Sequence, residues 1–258
     1  MASFKISMVT PSDRPGTKSE IGRRALELLG GRRPALLLGM DDNQLQAFFA
    51  GCRTERHRTP REVLRQDEPT DLCYLILKGR IEVSVMDVNG NRVLAHLAGQ
   101  GEVLGEVEIF SNRPCAATCT TMPNTILAAF SASHVLSHMS PRKLLENFAG
   151  IFHDRLTRDN RQQSVAMFYP AEDRIRIHLL SLTTPSRPEA QMSQNSLALL
   201  AGCSRQTVNQ TLAALRNEGI VEVTRGTIKV LDRARLQVPR PGADMGMLLQ
   251  TMIPDDGE

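Results

Sequence analysis

The longest uninterrupted helical pattern in the chain does most to limit what it can fold into. Residues 140–168, SPRKLLENFAGIFHDRLTRDNRQQSVAMF, have proline only in the first turn and are long enough for about seven or eight turns of helix. Steps of four and three residues along this segment give a heptad stripe: Leu145, Ala149, Phe152, Leu156, Asp159, Gln163 and Ala166. The first half of the stripe is apolar and the second half is largely polar, as in the seam of a helix pair.

Two interpretations of this stripe stay open. The helix either packs against its own domain, or it pairs with the same helix of a second copy. A helix of this length exceeds what one small domain can cover, which favours pairing and a homodimer. Polar residues on such a seam lower its stability and typically specify register or a ligand.

The sequence pattern before this helix changes from one typical of helices to one typical of β-strands. Residues 21–50 contain two short helical patterns, RRALELLG and DDNQLQAFFAG, whereas residues 60–131 consist of short alternating or β-rich runs separated by turns. The stretch DVNGNR contains Asn-Gly, a strong hairpin signal. Strands at spacings of roughly ten residues without intervening helices predict a small antiparallel barrel or roll.

Composition narrows the class of protein. The 258 residues are 41% hydrophobic and 23% charged, which is typical of a globular protein. No apolar run reaches the roughly 18 residues of a membrane span, and residues 1–20 lack the apolar segment of a signal peptide. We therefore expect a cytoplasmic protein without a membrane partner. Five scattered cysteines indicate neither a disulfide framework nor a metal site.

Positive charge is concentrated near the C-terminal end of the chain. The net charge of the whole chain is only +3, but residues 201–240 carry seven basic and three acidic side chains. An excess of basic residues in one segment is typical of nucleic-acid binding.

The same segment contains two short helices joined by a tight turn. Ser193 is a good N-cap for QNSLALLAG, and Ser204 is a good N-cap for RQTVNQTLAALRNEG. The second helix has an apolar stripe of Val208, Leu212 and Leu215. Its opposite face is polar: Arg205, Gln206, Asn209 and Gln210. With the alternating segment IVEVTRGTIKVL as a wing, this predicts a winged helix-turn-helix whose second helix enters the major groove; the alternative is a small helical bundle with a solvated polar face.

The helix-turn-helix segment resembles the DNA-binding domain of the cyclic AMP receptor protein/FNR family of bacterial transcription regulators, through the stretch LAGCSRQTVNQTLAALRNEGIVEV. LILKGRIEVSVMD and GEVLGE resemble the effector domain of that family, and the similarity spans residues 25–236. It implies an α+β fold: an antiparallel β-roll of the cyclic-nucleotide-binding type, a long dimerisation helix and a winged helix-turn-helix. The implied divisions are an extension over 1–22, the roll over 23–139, the dimerisation helix over 140–169, the DNA-binding domain over 170–236 and a tail over 237–258.

The resemblance also implies function and partners. It describes a homodimer, not an enzyme, that binds a palindromic operator in double-stranded DNA and contacts RNA polymerase. Allosteric control would come from cyclic AMP, with cyclic GMP as the other candidate. No catalytic or metal-binding residue is expected.

The DNA-contacting residues follow from the same match. Arg205 stands in the place of the family's guanine-reading arginine, whose fork fits O6 and N7 of guanine. Ser204 and Thr207 correspond to phosphate contacts, and the remaining DNA-binding residues are Ser193, Asn195 and Asn209. Gln206 and Gln210 replace a glutamate and an arginine of the best-known member. Since glutamine pairs best with adenine, we expect an altered half-site at those bases.

The effector turn, GEVEIFSNRPCAATC, matches the family in part. Gly105 allows close approach of the backbone, Glu106 would accept from a ribose hydroxyl, and Val107 and Ala116 complete the turn. The family's phosphate-binding arginine is expected at Cys115, whose neutral thiol cannot neutralise a phosphate.

Arg113 offers a replacement charge for the missing arginine. It lies two residues before Cys115, and positions i and i+2 of an extended segment point the same way. On the long helix, Asp159 and Asn160 stand where the family places side chains that read the adenine edge. Ala116 lacks a hydroxyl for the guanine amine, which favours adenine, although Thr118 lies close by.

A second hypothesis is a regulator of the same fold that does not need a cyclic nucleotide. In it the pocket is vestigial or redox-sensitive, acting through Cys115 and Cys119.

Overall fold

The computed structural model describes residues 18–238. Residues 1–17 of the predicted extension over 1–22 and residues 239–258 of the predicted tail over 237–258 lie outside the described residues. The described part begins with helices α1 (Lys18–Leu29) and α2 (Asp42–Ala50), separated by a 3-10 turn at Ala35–Leu37. A capping box at Asp41 and Gln44 starts α2. Helix α1 therefore begins before residue 23, where the roll was predicted to start.

Eight strands form the predicted antiparallel roll. They are β1 (Arg53–His57), β2 (Glu62–Leu64), β3 (Cys73–Lys78), β4 (Ile81–Met86), β5 (Arg92–Ala98), β6 (Val103–Leu104), β7 (Thr118–Thr121) and β8 (Thr125–Phe130), with the short helix α3 (Glu106–Ser111) after β6. Two four-stranded sheets result, in the orders β1-β8-β3-β6 and β2-β7-β4-β5. All of their strand pairs are antiparallel.

Strand β3 lies at the centre of this domain. Its first five residues are buried, because its two faces meet different clusters. Leu75 and Leu77 pack with the helices at the N-terminal end, whereas Tyr74 and Ile76 pack with the second sheet. Burial on both faces explains the unbroken apolar run CYLIL.

The long helix forms as predicted. After α4 (Ala132–His138), helix α5 runs from Pro141 to Phe168. Ser140 caps it by accepting a hydrogen bond from the Lys143 N–H. The helix ends at Tyr169, which is extended, as residues before proline usually are.

The C-terminal domain contains the predicted helix-turn-helix and wing. Its elements are α6 (Ala171–Leu182), β9 (Glu189–Gln191), α7 (Gln194–Ala201), α8 (Arg205–Asn217), β10 (Val221–Thr224), β11 (Thr227–Val230) and α9 (Arg233–Leu236). The wing is a three-stranded sheet in the order β10-β11-β9. Sequence analysis did not predict β9 or α9.

The C-terminal domain packs against the roll. Leu97 at the end of β5 joins the apolar cluster of the C-terminal domain. Ser196 in α7 donates a hydrogen bond to Glu82 in β4, with Oγ and Oε1 2.5 Å apart. The first helix of the helix-turn-helix therefore contacts the effector domain directly.

Candidate functional site

Helix α8 presents a polar face to solvent. The four side chains predicted to form this face are all exposed: Arg205, Gln206, Asn209 and Gln210. The apolar stripe on the other side is buried, as predicted: Val208, Leu212 and Leu215. Helices with this division can pack on their own domain while their polar N-terminal residues reach the base edges of a groove.

The two predicted capping serines start the helices of this unit. Ser204 accepts from the Thr207 N–H at 3.0 Å, and the two hydroxyl oxygens lie 2.8 Å apart. Ser193 accepts from the Ser196 N–H at 3.0 Å, and Asn195 is exposed in the first turn of α7. The unpaired N–H groups of such a first turn favour an anion such as a DNA phosphate.

Gly105 is required by the geometry of the effector turn. It precedes α3 with φ of 86°, in the left-handed region. A β-carbon at this position would lie 3.0 Å from Leu64 Cδ1 and 3.1 Å from the Leu72 carbonyl oxygen. Only glycine combines this conformation with such close neighbours.

Glu106 is buried below this turn with 0% exposure. The Arg155 Nη2 from α5 lies 2.6 Å from its Oε1, yet neither carboxylate oxygen receives a well-directed hydrogen bond within residues 18–238. Burial raises the pKa of Glu106, and the charge of Arg155 opposes that rise. The carboxylate is therefore balanced in charge but retains unused acceptor capacity, which a hydroxyl group of a ligand would satisfy.

Sequence analysis missed Arg155. Its Nη2 also donates to the Val103 carbonyl at 2.8 Å, so it joins the long helix to the effector turn. Its position one helical turn before Asp159 was the available signal, but nothing in the sequence pairs it with Glu106. A cation thus lies beside Glu106, although Cys115 does not supply one.

The backbone at Ala116 is occupied by a carboxylate. Its N–H donates to Glu108 Oε1 at 3.2 Å. Cys115 is buried, its N–H donates to the Glu68 carbonyl and its own carbonyl accepts from the Asp67 N–H. An anion at this turn must displace Glu108 to use the Ala116 donor.

Arg113 does not share the surroundings of Cys115. Its side chain is exposed and forms no hydrogen bond or ion pair with any residue of 18–238, whereas Cys115 is 2% exposed. The premise that both residues point the same way is therefore wrong. The alternation of side chains that the premise needs belongs to an extended strand, and the segment 112–115 is not a strand.

The remaining predicted ligand residues lie on exposed surfaces. Val107 on α3 is 38% exposed. Asp159 and Asn160 are exposed on α5, and Asp159 Oδ1 lies 3.3 Å from Arg158 Nε.

The whole heptad stripe of α5 is open to solvent in the single chain. Leu145 is 70% exposed and Leu156 is 62% exposed. The helix buries a different face against its own domain, through Leu144, Asn147 and Ile151. The helix therefore packs on its own domain, as in the first interpretation, but it does not use the heptad stripe to do so.

Arg174 connects the end of α5 to the helix-turn-helix. Its guanidinium donates to the carbonyls of Tyr169, Ala201 and Gly202 at 3.0, 2.7 and 2.9 Å. Tyr169 ends the long helix, and Gly202 ends α7 in a left-handed conformation. A change at the end of the long helix is thereby linked to the turn that positions α8.

The cysteines of the effector domain are poor nucleophiles. Burial raises the pKa of the Cys119 thiol to about 12, and burial followed by the charge of Glu108 raises that of Cys115. Protonated thiols react slowly with oxidants and disulfides. Among residues 18–238, no group of histidine, cysteine, aspartate and glutamate side chains is arranged to hold a metal ion.

Within the described chain, none of the helices combines the length and apolar character needed to cross a bilayer.

Two domain families match the chain. The cyclic nucleotide-binding domain matches residues 55–141, and the Crp-like helix-turn-helix domain matches residues 173–238. Together they cover more than half of the chain, and they correspond to the roll and the C-terminal domain described above.

Known proteins of the same build are similar over most of their length. The cyclic AMP receptor protein of Thermus thermophilus is 27% identical over 69% of this chain and 83% of its own. A CRP-like cAMP-activated global transcriptional regulator of Mycobacterium tuberculosis is 25% identical over 79% of this chain and 95% of its own. The solved structure of FixK2 from Bradyrhizobium japonicum has the same fold, with a TM-score of 0.62, 18% identity and coverage of 72% and 95%.

The effector turn, the exposed seam and the polar recognition helix thus occur in one chain with the two matching domains. The chain belongs to the cyclic AMP receptor protein/FNR family of DNA-binding transcription regulators.

Proposed function

We propose that this regulator is a cytoplasmic homodimer whose binding to a palindromic operator is controlled by a cyclic nucleotide, cyclic AMP in the first place. The observation that carries the proposal is the buried Glu106 carboxylate, whose oxygens lack directed hydrogen bonds. A ribose 2′-hydroxyl is a donor that suits this acceptor. Arg155, 2.6 Å from Oε1, would contribute positive charge to the field around a bound phosphate.

The exposed seam supports the dimer. An apolar stripe with Leu145, Phe152 and Leu156 at heptad spacing is exposed, and burying it against a second copy is favourable by the hydrophobic effect. The adenine would then meet Asp159 and Asn160, one of them from the second copy. Two carboxylates approaching across the seam repel each other, so a ligand that donates hydrogen bonds to them, as the exocyclic N6 amine of adenine does, would tighten the interface.

DNA and RNA polymerase are the proposed macromolecular partners. Paired copies of α8 would occupy successive major grooves about 34 Å apart. The nucleotide acts only through its higher affinity for the arrangement that places both helices at this spacing.

Calorimetry with cyclic AMP and cyclic GMP tests ligand binding. We expect saturable binding of cyclic AMP, weakened about tenfold or more by Glu106→Gln, because an amide is a weaker acceptor than a carboxylate. Glu172→Gln is the matched control, since this glutamate is exposed on α6 away from the roll turn. Absence of heat at high micromolar nucleotide would contradict the proposal.

The Arg113→Ala variant tests the replacement charge. If Arg113 swings onto the phosphate, its loss weakens cyclic AMP binding about tenfold. Unchanged affinity would show that Arg155 and backbone donors hold the phosphate without it.

Base recognition is tested by selecting operators from a random pool. Arg205→Ala is expected to abolish specific binding, because the contact to guanine is lost. Gln206→Glu is expected to change the selected base to cytosine, because a carboxylate accepts a hydrogen bond from the cytosine N4 amine. The same consensus from wild type and Gln206→Glu would rule out a base-reading role for Gln206.

One observation favours the second hypothesis, a regulator that does not need the nucleotide. Glu108 already accepts a hydrogen bond from the Ala116 N–H at 3.2 Å, and its negative charge would repel an entering phosphate. In this version the operator is bound with equal affinity with and without cyclic AMP, and Glu108→Gln creates or strengthens nucleotide binding. The raised pKa values of the Cys115 and Cys119 thiols argue for a vestigial pocket over a redox sensor.

A further inference from the structure

A second cleft lies between the roll and the C-terminal domain, apart from the effector turn. Its volume is about 530 Å³, and its walls come from the β3–β4 turn, the end of β5, the second half of α5 and the segment that follows α6. None of the residues predicted to bind the cyclic nucleotide lines it. A cleft of this size accommodates a molecule as large as a nucleotide.

The lining of this cleft is strongly basic. Its arginines come from four parts of the chain: Arg32, Arg80, Arg158, Arg161 and Arg187. Glu102 and Glu189 are the acidic lining residues. Glu102 already accepts from the Gly99 N–H at 2.7 Å and lies 2.7 Å from His96 Nε2. Arg158 is partly neutralised, since its Nη1 lies 3.9 Å from Glu102 Oε2 and its Nε lies 3.3 Å from Asp159 Oδ1. Five arginines against two glutamates still leave the lining with a positive excess.

Arg80 and Arg187 have much unused hydrogen-bonding capacity. Arg80 donates over a long 3.5 Å to the Leu182 carbonyl. The Arg187 guanidinium forms no hydrogen bond or ion pair with any residue of 18–238; only its backbone is bonded, to Thr184.

The charge of Arg187 also acts on Arg80. Burial lowers the pKa of Arg80, Glu102 opposes this, and the like charge of Arg187 lowers it further. A partly buried cation with a second, exposed cation near it favours an anion between them.

We propose that this interdomain cleft binds a small molecule of nucleotide size that carries a di- or triphosphate, with Arg80 and Arg187 as its main phosphate contacts. Planar guanidinium forks bind phosphate oxygens in pairs, and a chain of phosphates brings enough negative charge to match several arginines at once.

Such a ligand would bridge the two domains. Arg80 belongs to the roll, whereas Arg187 belongs to the C-terminal domain. The domains already meet through Ser196 and Glu82, and a phosphate held from both sides would strengthen that contact.

Calorimetry on the full-length protein tests the site, with ATP and inorganic pyrophosphate as probes in magnesium-free buffer. We expect saturable binding of both probes, weakened about tenfold by Arg80→Gln and by Arg187→Gln. Arg80→Lys and Arg187→Lys keep the charge and are expected to recover part of the affinity. Arg56→Gln, an exposed arginine on β1, removes the same charge elsewhere and should leave binding unchanged.

Three results would overturn the proposal. The first is no saturable binding of either probe. The second is binding that Arg56→Gln weakens as much as Arg80→Gln and Arg187→Gln do, which indicates unspecific attraction. The third is full competition of ATP by cyclic AMP, which places the probe in the effector turn. Thermal melting of each folded variant separates loss of binding from loss of structure.

Discussion

The ion pair between Glu106 and Arg155 is expected to respond very differently to the loss of each partner. Arg155→Met leaves the Glu106 carboxylate, which is 0% exposed, without a compensating charge. Glu106→Gln leaves Arg155, whose side chain is 29% exposed and still donates to the Val103 carbonyl. The first variant strands a buried charge, and the second strands a charge that water can reach.

The magnitudes follow from this difference in burial. Removing one partner of a buried ion pair typically costs about 3–5 kcal/mol, so Arg155→Met is expected near about 3 kcal/mol because its own side chain is partly exposed. Glu106→Gln should change the free energy of unfolding by no more than about 1 kcal/mol, because it removes the desolvated charge itself. For a chain of this size, the first change lowers the melting temperature by about 6–12 °C.

The pH dependence of stability provides a second signature. Burial raises the pKa of Glu106 above its ordinary value of 4.5, so the folded state holds this proton more tightly than the unfolded chain does. Its contribution to stability is fully present below pH 4.5 and is lost as the pH rises through the folded-state pKa. Glu106→Gln should remove this decline, and Arg155→Met should extend it to higher pH.

Urea denaturation followed by circular dichroism at several pH values measures both effects. Arg142→Met is the matched control, because this arginine lies on the same helix with 92% side-chain exposure. Equal destabilisation by Arg155→Met and Glu106→Gln would refute the reasoning, because it would mean that the buried carboxylate costs nothing without its partner.

Three further predictions follow from the described contacts. Leu156→Asp should shift the sedimentation of the protein from that of a dimer to that of a monomer. Leu136→Asp is the control, because Leu136 on α4 is 47% exposed and lies outside the stripe, so this variant should remain a dimer. A dimer in both variants would place the interface elsewhere. Arg174→Met removes three hydrogen bonds to carbonyls and should lower the free energy of unfolding, measured by denaturation, by about 2–3 kcal/mol. It should also weaken operator binding, measured by fluorescence anisotropy. Unchanged operator affinity would show that the contact between the long helix and the helix-turn-helix does not affect DNA binding. Burial raises the pKa of the Cys119 thiol to about 12, so its alkylation should be at least about a hundredfold slower than that of free cysteine. Rapid labelling of Cys119 would support a redox-sensing pocket instead.

The sequence was most informative where the local pattern decides the structure. Ser193 and Ser204 were predicted as helix caps, because a cap depends on a hydrogen bond three residues away. The stripe of α5 and the two faces of α8 were readable because helical periodicity alone sets them.

Contacts between distant parts of the chain were not readable in this way. The ion pair of Glu106 with Arg155 and the contact of Ser196 with Glu82 join segments that only the tertiary fold brings together. Strand β9 has three residues with a single buried side chain, that of Ala190, which leaves no periodic signal. The assumed direction of Arg113 failed because the segment 112–115 is not a strand.

Operator affinity with and without cyclic AMP tests the central claim most directly. The measurement uses the operator selected by the protein, at one fixed salt concentration, with wild type and Glu106→Gln in parallel. We predict that cyclic AMP tightens wild-type binding by about tenfold or more and that Glu106→Gln largely abolishes this response while its nucleotide-free affinity stays the same. Equal wild-type affinity at zero and saturating cyclic AMP would contradict control by this nucleotide.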